Sequence, residues 1–358
     1  MDSHLIDGCK IRPSKALADS ISSMLQGNEE FVMIDAQKVI QEEALAIARS
    51  ARPSKKKVLI VRGGPGTGKS VVAINLLVKA TKQDLLSCYV TRNAAPRAVY
   101  ESHLTGSMKK SHISNLFKGS GSFVDSPGNA YDLLIADEAH RLSEKSGMLK
   151  NKGENQIKEI IHASKCAVFF LDEDQQVTLH DIGFEDEILK WARFYNAGVS
   201  TMDLVSQFRC SGSDGYLAWL DHTLQIKDTA NPTLSTQEYD FQVFDDPGKL
   251  LDVIFEKNKE RNKARLLAGI CWNWVSKTDT TKMDVVMPEY DFAMRWNLGS
   301  DEMLWMIKPE SVTEVGCIVR HAKQPFHPEN FFIHVINFEF KDLFVNFLKK
   351  ITGLEKGL

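Results

Sequence analysis

The sequence lacks the features that would assign it to a secreted, zinc-binding or membrane class. Its six cysteines include no C-x-x-C pair, which argues against a zinc site and against a disulfide framework. No apolar run approaches the roughly 20 residues of a membrane span. The first ten residues carry acids and a histidine, where a secretory signal would carry a basic and then an apolar segment. We therefore expect a cytoplasmic protein with buried, reduced thiols and no membrane partner.

The chain also lacks a strong excess of charge of either sign. Its net charge of -3 means that any contact with nucleic acid must come from a local basic groove. Hydrophobic residues make up 43% and charged residues 25%, which is a globular balance. A length of 358 residues predicts two α/β domains of about 150 residues each. We expect an N-terminal appendage, an ATP-binding domain, a second domain and a divergent tail at residues 1–30, 31–200, 201–320 and 321–358.

Short apolar runs alternate with amphipathic stretches in the first half of the chain. Continuous apolar strands separated by helices are typical of a parallel sheet covered on both faces. The strand candidates are Val58–Val61, Cys88–Val90, Leu133–Ala136 and Ala167–Leu171, preceded by a predicted helix from Asp35 to Arg49. Gly106 to Gly128, rich in Gly, Ser and Lys, is interpreted as a surface loop or mobile insertion. The lysines at 55–57 are interpreted as a solvated entry to the first strand.

A second, weaker alternation begins near Leu204 and Val205. Its further strand candidates are Gln242–Phe244, Leu266–Ile270 and Val315–Val319. The tail from Phe331 to Leu358 mixes aromatic and aliphatic residues with lysines. A core or docking helix is favoured there over a surface on which bases would stack.

A glycine-rich loop follows the first predicted strand and precedes an apolar helix. It fits the phosphate-binding pattern G-x-x-x-x-G-K-[ST] through Gly63, Gly64, Pro65, Gly66, Thr67, Gly68, Lys69 and Ser70. Glycines let successive N–H groups and the helix N-terminus face the phosphates of ATP. Lys69 would reach the β- and γ-phosphates, and the Ser70 hydroxyl would ligate Mg²⁺. Binding of ATP with Mg²⁺ is the firmest prediction from the sequence.

Polar residues end two of the predicted buried strands. Asp137 suits the magnesium site and Glu138 is placed to activate a water, although a surface acidic pair is the alternative. Gln175 follows the next strand and is a candidate sensor of the γ-phosphate, with an ordinary loop residue as the alternative. Gln37, upstream of the loop, could pair with the adenine edge through its amide.

Taken together, these segments resemble the Schlafen group 3-type DNA/RNA helicase domain, a relative of superfamily 1 helicases, from about Phe31 to Ile318. The residues at 37, 63–70, 91–97, 137–140 and 172–175 resemble the Q motif and motifs I, Ia, II and III. Gln207–Ser213 resembles motif IV, which makes Arg209 an arginine-finger candidate. The resemblance implies contacts of motif Ia with single-stranded nucleic acid, through Thr91, Arg92, Asn93 and Arg97.

The resemblance implies a P-loop NTPase with two RecA-like lobes built on parallel sheets. Motifs V and VI are not recognisable after Ile318, although Arg320 could partly substitute, so the completeness of the second lobe stays open. We expect an ATP-hydrolysing, helicase-like protein that acts on single-stranded DNA or RNA. The alternative is a nucleotide-dependent switch that moves no strand; a small-molecule kinase is disfavoured, because D-E-A-H and D-x-x-Q organise attack by water.

Overall fold

The computed structural model of the chain divides into two compact units, Met1–Gln207 and Phe208–Leu358. The residues that it describes are 33–64, 66–106, 109–147, 151–175, 180–205, 218–219, 222–223, 229, 241–260, 264–268, 272–297, 305, 309–317, 332–337 and 344–348. The predicted appendage at residues 1–30 lies outside them.

The first unit contains one parallel sheet of six strands. They are β1 (Lys57–Gly63), β2 (Ser87–Thr91), β3 (Phe117–Gly119), β4 (Tyr131–Ala136), β5 (Ser164–Leu171) and β6 (Gly198–Leu204). Their order across the sheet is β3-β2-β4-β5-β1-β6, and every neighbouring pair is parallel. The four predicted strands are confirmed, as is the α/β fold class of a P-loop NTPase.

Helices cover both faces of this sheet, which explains why its central strands are apolar throughout. The helices are α1 (Asp35–Ser50), α2 (Lys69–Lys82), α3 (Ala94–Leu104), α4 (Lys110–Leu116), α5 (Gln156–Ala163) and α6 (Glu185–Phe194). Helices α1 to α4 pack with Leu59 and Val61 of β1 on one face, whereas α5 and α6 pack with Val58 and Ile60 on the other. Alternate residues of one strand thus serve two cores.

The structure corrects three expectations about the first unit. The segment predicted as a loop at Gly106–Gly128 contains α4, the edge strand β3 and a 3₁₀ turn at Ser120–Phe123. Leu204 ends β6, which pairs with β1 and therefore belongs to the first sheet. Lys56 is buried, since its ammonium group contacts the carbonyls of Ile161, His162 and Ser164 at the end of α5.

The second unit contains a seven-stranded sheet in the order β7-β13-β12-β8-β11-β10-β9. The strands are β7 (Phe241–Val243), β8 (Ala264–Ala268), β9 (Val285–Met287), β10 (Phe292–Trp296), β11 (Glu314–Cys317), β12 (Phe332–Asn337) and β13 (Phe344–Leu348), with helix α7 at Pro247–Glu260. This sheet is mixed rather than parallel, because β12 runs antiparallel to both β8 and β13. The prediction of a helix in the tail is wrong, because the described residues of the tail form β12 and β13.

Two further sequence expectations concern thiols and membranes. Cys88 and Cys166 are free and buried, and burial raises the pKa of each thiol to about 12. None of the helices in the described part of the chain has both the length and the apolar character that a bilayer crossing needs.

Candidate nucleotide site

The order of the strands brings the polar strand ends together. Strand β5 lies between β1, which leads into the glycine-rich loop, and β4, which leads into Asp137. Carboxyl ends of parallel strands meet at one edge of a sheet, which is where such folds bind ligands. The loop, Asp137 and Asp172 therefore share that edge.

The glycine-rich loop is held by its own backbone and by Gln37. Gly66 and Gly68 have left-handed backbones, with φ of 80° and 86°. Gln37 Nε2 donates to the Thr67 carbonyl at 3.2 Å, and a Cβ on Gly68 would come within 2.2 Å of that nitrogen. Position 68 thus requires glycine for both its conformation and its contact. Pro65 lies outside the described residues.

The amide of Gln37 is engaged with the protein at both of its polar atoms. Besides the bond from Nε2 to Thr67, its Oε1 accepts from the Ile34 N–H at 3.4 Å, and the side chain is buried. The structure therefore shows Gln37 supporting the loop. Its pairing with adenine stays a prediction.

Lys69 turns back across the loop. Its ammonium group donates to the carbonyls of Gly63 at 2.5 Å and Gly64 at 2.9 Å, and it lies 3.4 Å from Asp172 Oδ2. The lysine and this carboxylate are both nearly fully buried. A buried positive charge beside loop N–H groups suits a phosphate.

Asp172 connects the loop to the sensor candidate and to the acidic motif. Its Oδ2 also accepts from Gln175 Nε2 at 3.0 Å, and its N–H donates to His140 Nδ1 at 3.2 Å. Because Nδ1 accepts, the proton of a neutral His140 is on Nε2, which lies 3.0 Å from Glu138 Oε2. Asp172 belongs to the segment that resembles motif III, but the sequence did not predict a role for it.

Glu138 has a strained backbone for a residue with a side chain. Its φ is 52°, in the left-handed region. Non-glycine residues adopt this conformation at a cost, and such positions cluster at functional sites. The turn separates the buried Asp137 from a Glu138 carboxylate that is 37% exposed and so accessible to water.

Asp137 is buried and lies among hydrogen-bond donors. Its Oδ2 accepts from the Tyr89 hydroxyl at 2.6 Å, its Oδ1 accepts from the Glu138 N–H at 3.0 Å, and the Ser70 hydroxyl lies near enough to lower its pKa. Burial raises the pKa of this carboxyl, while these donors oppose that rise. A carboxylate beside a serine hydroxyl is a donor set that fits Mg²⁺.

The candidate nucleic-acid residues differ in their burial and in their contacts with the rest of the protein. Thr91 is buried and accepts from the Asn93 N–H at 3.3 Å, whereas Asn93 is exposed. Arg92 Nη1 donates to the Arg141 carbonyl at 2.6 Å and to the buried Asp181 Oδ1 at 2.7 Å. The guanidinium of Arg97 packs against Gly119, where an added Cβ would lie 2.4 Å from Nη1.

Two candidates for the second lobe are not described. Arg209 and the surrounding Gln207–Ser213 segment lie outside the described residues, as does Arg320.

Asp181 and Tyr89, which contact predicted site residues, were missed by sequence reasoning. Each stands far along the chain from its partner.

Comparison with known proteins places the chain among described families and structures. A family model described as "Schlafen group 3, DNA/RNA helicase domain" matches residues 56–326. The uncharacterized protein YPL245W of Saccharomyces cerevisiae is 22% identical, over 86% of this chain and 76% of its own. Among solved structures, the Pif1 helicase of Candida albicans is 13% identical over 66% of this chain and 57% of its own, with a TM-score of 0.35. AMPPCP-bound DnaA of Aquifex aeolicus is 16% identical over 66% and 69%, with a TM-score of 0.29.

Proposed function

The chain belongs to the Schlafen group 3 DNA/RNA helicase domain family, and we propose that it binds and hydrolyses Mg-ATP to act on single-stranded DNA or RNA. The observation that carries the proposal is the convergence at one sheet edge of Lys69, Asp137, Glu138 and Gln175, joined through Asp172 and His140.

Binding of the phosphates is assigned to the loop from Gly63 to Ser70. Its backbone N–H groups and Lys69 would hold the phosphate oxygens, and Ser70 and Asp137 would hold Mg²⁺. When bound, the metal neutralises charge that develops on the phosphates. The Ser70 hydroxyl lies near enough to Asp137 to lower the pKa of that carboxyl, which supports this pairing.

Hydrolysis is assigned to Glu138, with Gln175 as a sensor. The exposed carboxylate of Glu138 would accept a proton from the attacking water. His140 Nε2 holds one of its oxygens, which restricts the directions in which the carboxylate can point. Gln175 bonds to the Asp172 carboxylate, which also contacts Lys69. Its amide would therefore respond to the presence or absence of the γ-phosphate.

Binding of nucleic acid is assigned to Thr91, Arg92, Asn93 and Arg97. Thr91 is the buried last residue of β2, and the other three lie beyond it, at the same edge of the sheet as the nucleotide site. Exposed Asn93 and the exposed fraction of Arg92 would contact backbone phosphates. Arg209 is assigned as the arginine finger on the family resemblance.

The test combines nucleotide binding with turnover. We expect Lys69→Ala to abolish binding of a fluorescent ATP analogue, Glu138→Gln to retain binding while losing hydrolysis, and Arg209→Ala to lower turnover more than affinity. Arg193→Ala, at an exposed position of α6, is the matched control and should behave as the wild type. Unchanged turnover in Glu138→Gln would remove that residue as the base.

A second candidate is a nucleotide-dependent switch that moves no strand. It is favoured by the sequence after Ile318, in which motifs V and VI are not recognisable. Adding single-stranded DNA or RNA discriminates between the two candidates. Stimulated hydrolysis supports the translocase, whereas ATP binding with an unchanged rate supports the switch.

A further inference from the structure

A buried tyrosine pair lies behind the metal-binding carboxylate. Tyr89 stands in the middle of β2 with 1% of its surface exposed, and its hydroxyl donates to Asp137 Oδ2 at 2.6 Å. Its ring meets Tyr100 edge-on, with centroids 5.8 Å apart, and lies 5.7 Å from that of Phe117. These aromatic contacts leave the Tyr89 ring no room to swing away from the carboxylate.

The hydroxyl of Tyr89 determines how Asp137 presents its oxygens. The backbone N–H of Glu138 holds Oδ1 at 3.0 Å and Tyr89 holds Oδ2, so the plane of the carboxylate is fixed. Each carboxylate oxygen has two acceptor sites, which leaves one on each for other ligands. Partners that orient a metal-ligating carboxylate contribute strongly to metal affinity.

The ring of Tyr89 connects Asp137 to helix α3. Tyr100 lies on α3, and its ring packs edge-on against that of Tyr89, with the two ring centroids 5.8 Å apart. Arg97 stands three residues earlier on this helix, about one turn away, on the surface assigned to nucleic acid. A continuous path of contacts thus runs from that surface through Tyr100 and Tyr89 to the carboxylate.

We propose that Tyr89 is the positioning residue for Asp137 and that the packing of the Tyr89 ring against Tyr100 links helix α3 to the magnesium-binding end of the site. The inference rests on the proposed function, since it requires Asp137 to hold Mg²⁺. Linkage is reciprocal, so a ligand that moves α3 changes Mg²⁺ affinity, and Mg²⁺ changes affinity for that ligand.

The experiment measures the dependence of nucleotide binding on Mg²⁺, not turnover. Equilibrium binding of a fluorescent ATP analogue is recorded in EDTA and across a Mg²⁺ titration, for the wild-type chain and for Tyr89→Phe. The substitution removes one oxygen and keeps the ring. We expect unchanged affinity in EDTA and a half-saturating Mg²⁺ concentration about 10-fold higher. Tyr100→Leu, a second variant, removes the ring contact with Tyr89 and should shift the half-saturating concentration in the same direction by a smaller factor.

Two controls separate positioning from general damage. Tyr131→Phe, at the opposite end of β4 from Asp137, should leave the Mg²⁺ titration unchanged. In an Asp137→Asn background, Tyr89→Phe should have no further effect on the half-saturating Mg²⁺ concentration, because the oriented carboxylate is gone. An additional 10-fold loss there would contradict the inference.

Failure of the inference and failure of the proposed function look different. If the wild-type chain binds no nucleotide, or binds it without regard to Mg²⁺, the proposed function is wrong and the inference falls with it. If the wild type depends on Mg²⁺ and Tyr89→Phe titrates like Tyr131→Phe, only the inference is overturned.

Discussion

Replacing Arg92 distinguishes a structural role from a role in nucleic-acid binding, because the structure gives this side chain two protein partners. Its Nη1 contacts the Arg141 carbonyl at 2.6 Å and Asp181 Oδ1 at 2.7 Å, and the Asp181 side chain is fully buried. Arg92→Ala removes both contacts. We expect the variant to be less stable, even when no nucleic acid is present.

The size of that loss follows from what remains around Asp181. Removing one partner of a buried ion pair costs about 3–5 kcal/mol when the other charge is left alone. Here Arg141 Nη1 still lies 3.3 Å from Asp181 Oδ2, so the carboxylate keeps a partner. The loss should approach that of one charge-assisted hydrogen bond, about 2 kcal/mol. For a unit of this size, this lowers the melting temperature by about 4–8 °C.

Thermal unfolding of Arg92→Ala beside Arg193→Ala measures the effect. The control removes an exposed arginine of α6 and should change stability by less than about 0.5 kcal/mol. Binding of single-stranded DNA, measured against salt concentration, shows whether Arg92 also neutralises a phosphate. A melting temperature equal to that of the control would refute the structural role. A loss of stability with an unchanged salt slope would remove Arg92 from the nucleic-acid surface.

Three further predictions concern stability and the acidic motif. Both amide atoms of Gln41 are buried without a hydrogen-bond partner among the described residues, so Gln41→Met should raise the melting temperature by removing about 1–3 kcal/mol of desolvation cost; a lower value would contradict this. Lys56→Met should cost about 2–4 kcal/mol in urea unfolding, by stranding buried carbonyls. Burial lowers the pKa of Lys56 from 10.5 to about 8, so between these pH values the folded chain has released this proton while the unfolded chain still holds it. The free energy of unfolding of the wild type should therefore rise with pH relative to that of Lys56→Met; a constant difference between the two would show that this pKa is not lowered. A Cβ on Gly183 would lie 1.9 Å from the Ala139 carbonyl oxygen, so Gly183→Ala should displace the turn after Glu138. We expect this variant to be less stable by about 1–3 kcal/mol and to hydrolyse ATP more slowly; wild-type stability and turnover would show that the turn accommodates a methyl group.

The sequence could predict those features of the fold and of the site that depend on short-range patterns. Val58–Val61 and Leu133–Ala136 are buried on both faces, and unbroken apolar runs of this kind indicate central parallel strands. The glycine-rich loop is likewise a local signal, because its residues act together within one turn. The placement of Asp137 at the edge followed from the strand before it.

The partners of these residues could not be predicted, because they come from distant parts of the chain. Asp181 lies 89 residues beyond Arg92, and Asp137 lies 48 residues beyond Tyr89. A lysine in a basic run gives no sign that its neighbours are helix carbonyls, so the sequence pattern predicts a solvated Lys56. In the tail, the mixture of aromatic residues and lysines suits a strand as well as a helix, and pairing with β8 decides the outcome.

The strands of the first unit differ in how many of their positions are paired. Strand β1 is paired along its length on both sides, by β5 and β6, so the loop that follows it is anchored in the interior of the sheet. Strand β2 and helix α3 lie instead beside β3, an edge strand of three residues with only three paired positions. Short edges open more readily than central strands. We therefore expect local opening to be more frequent on the side that carries Arg92 and Arg97 than at the phosphate-binding loop, and amide hydrogen exchange should follow that gradient.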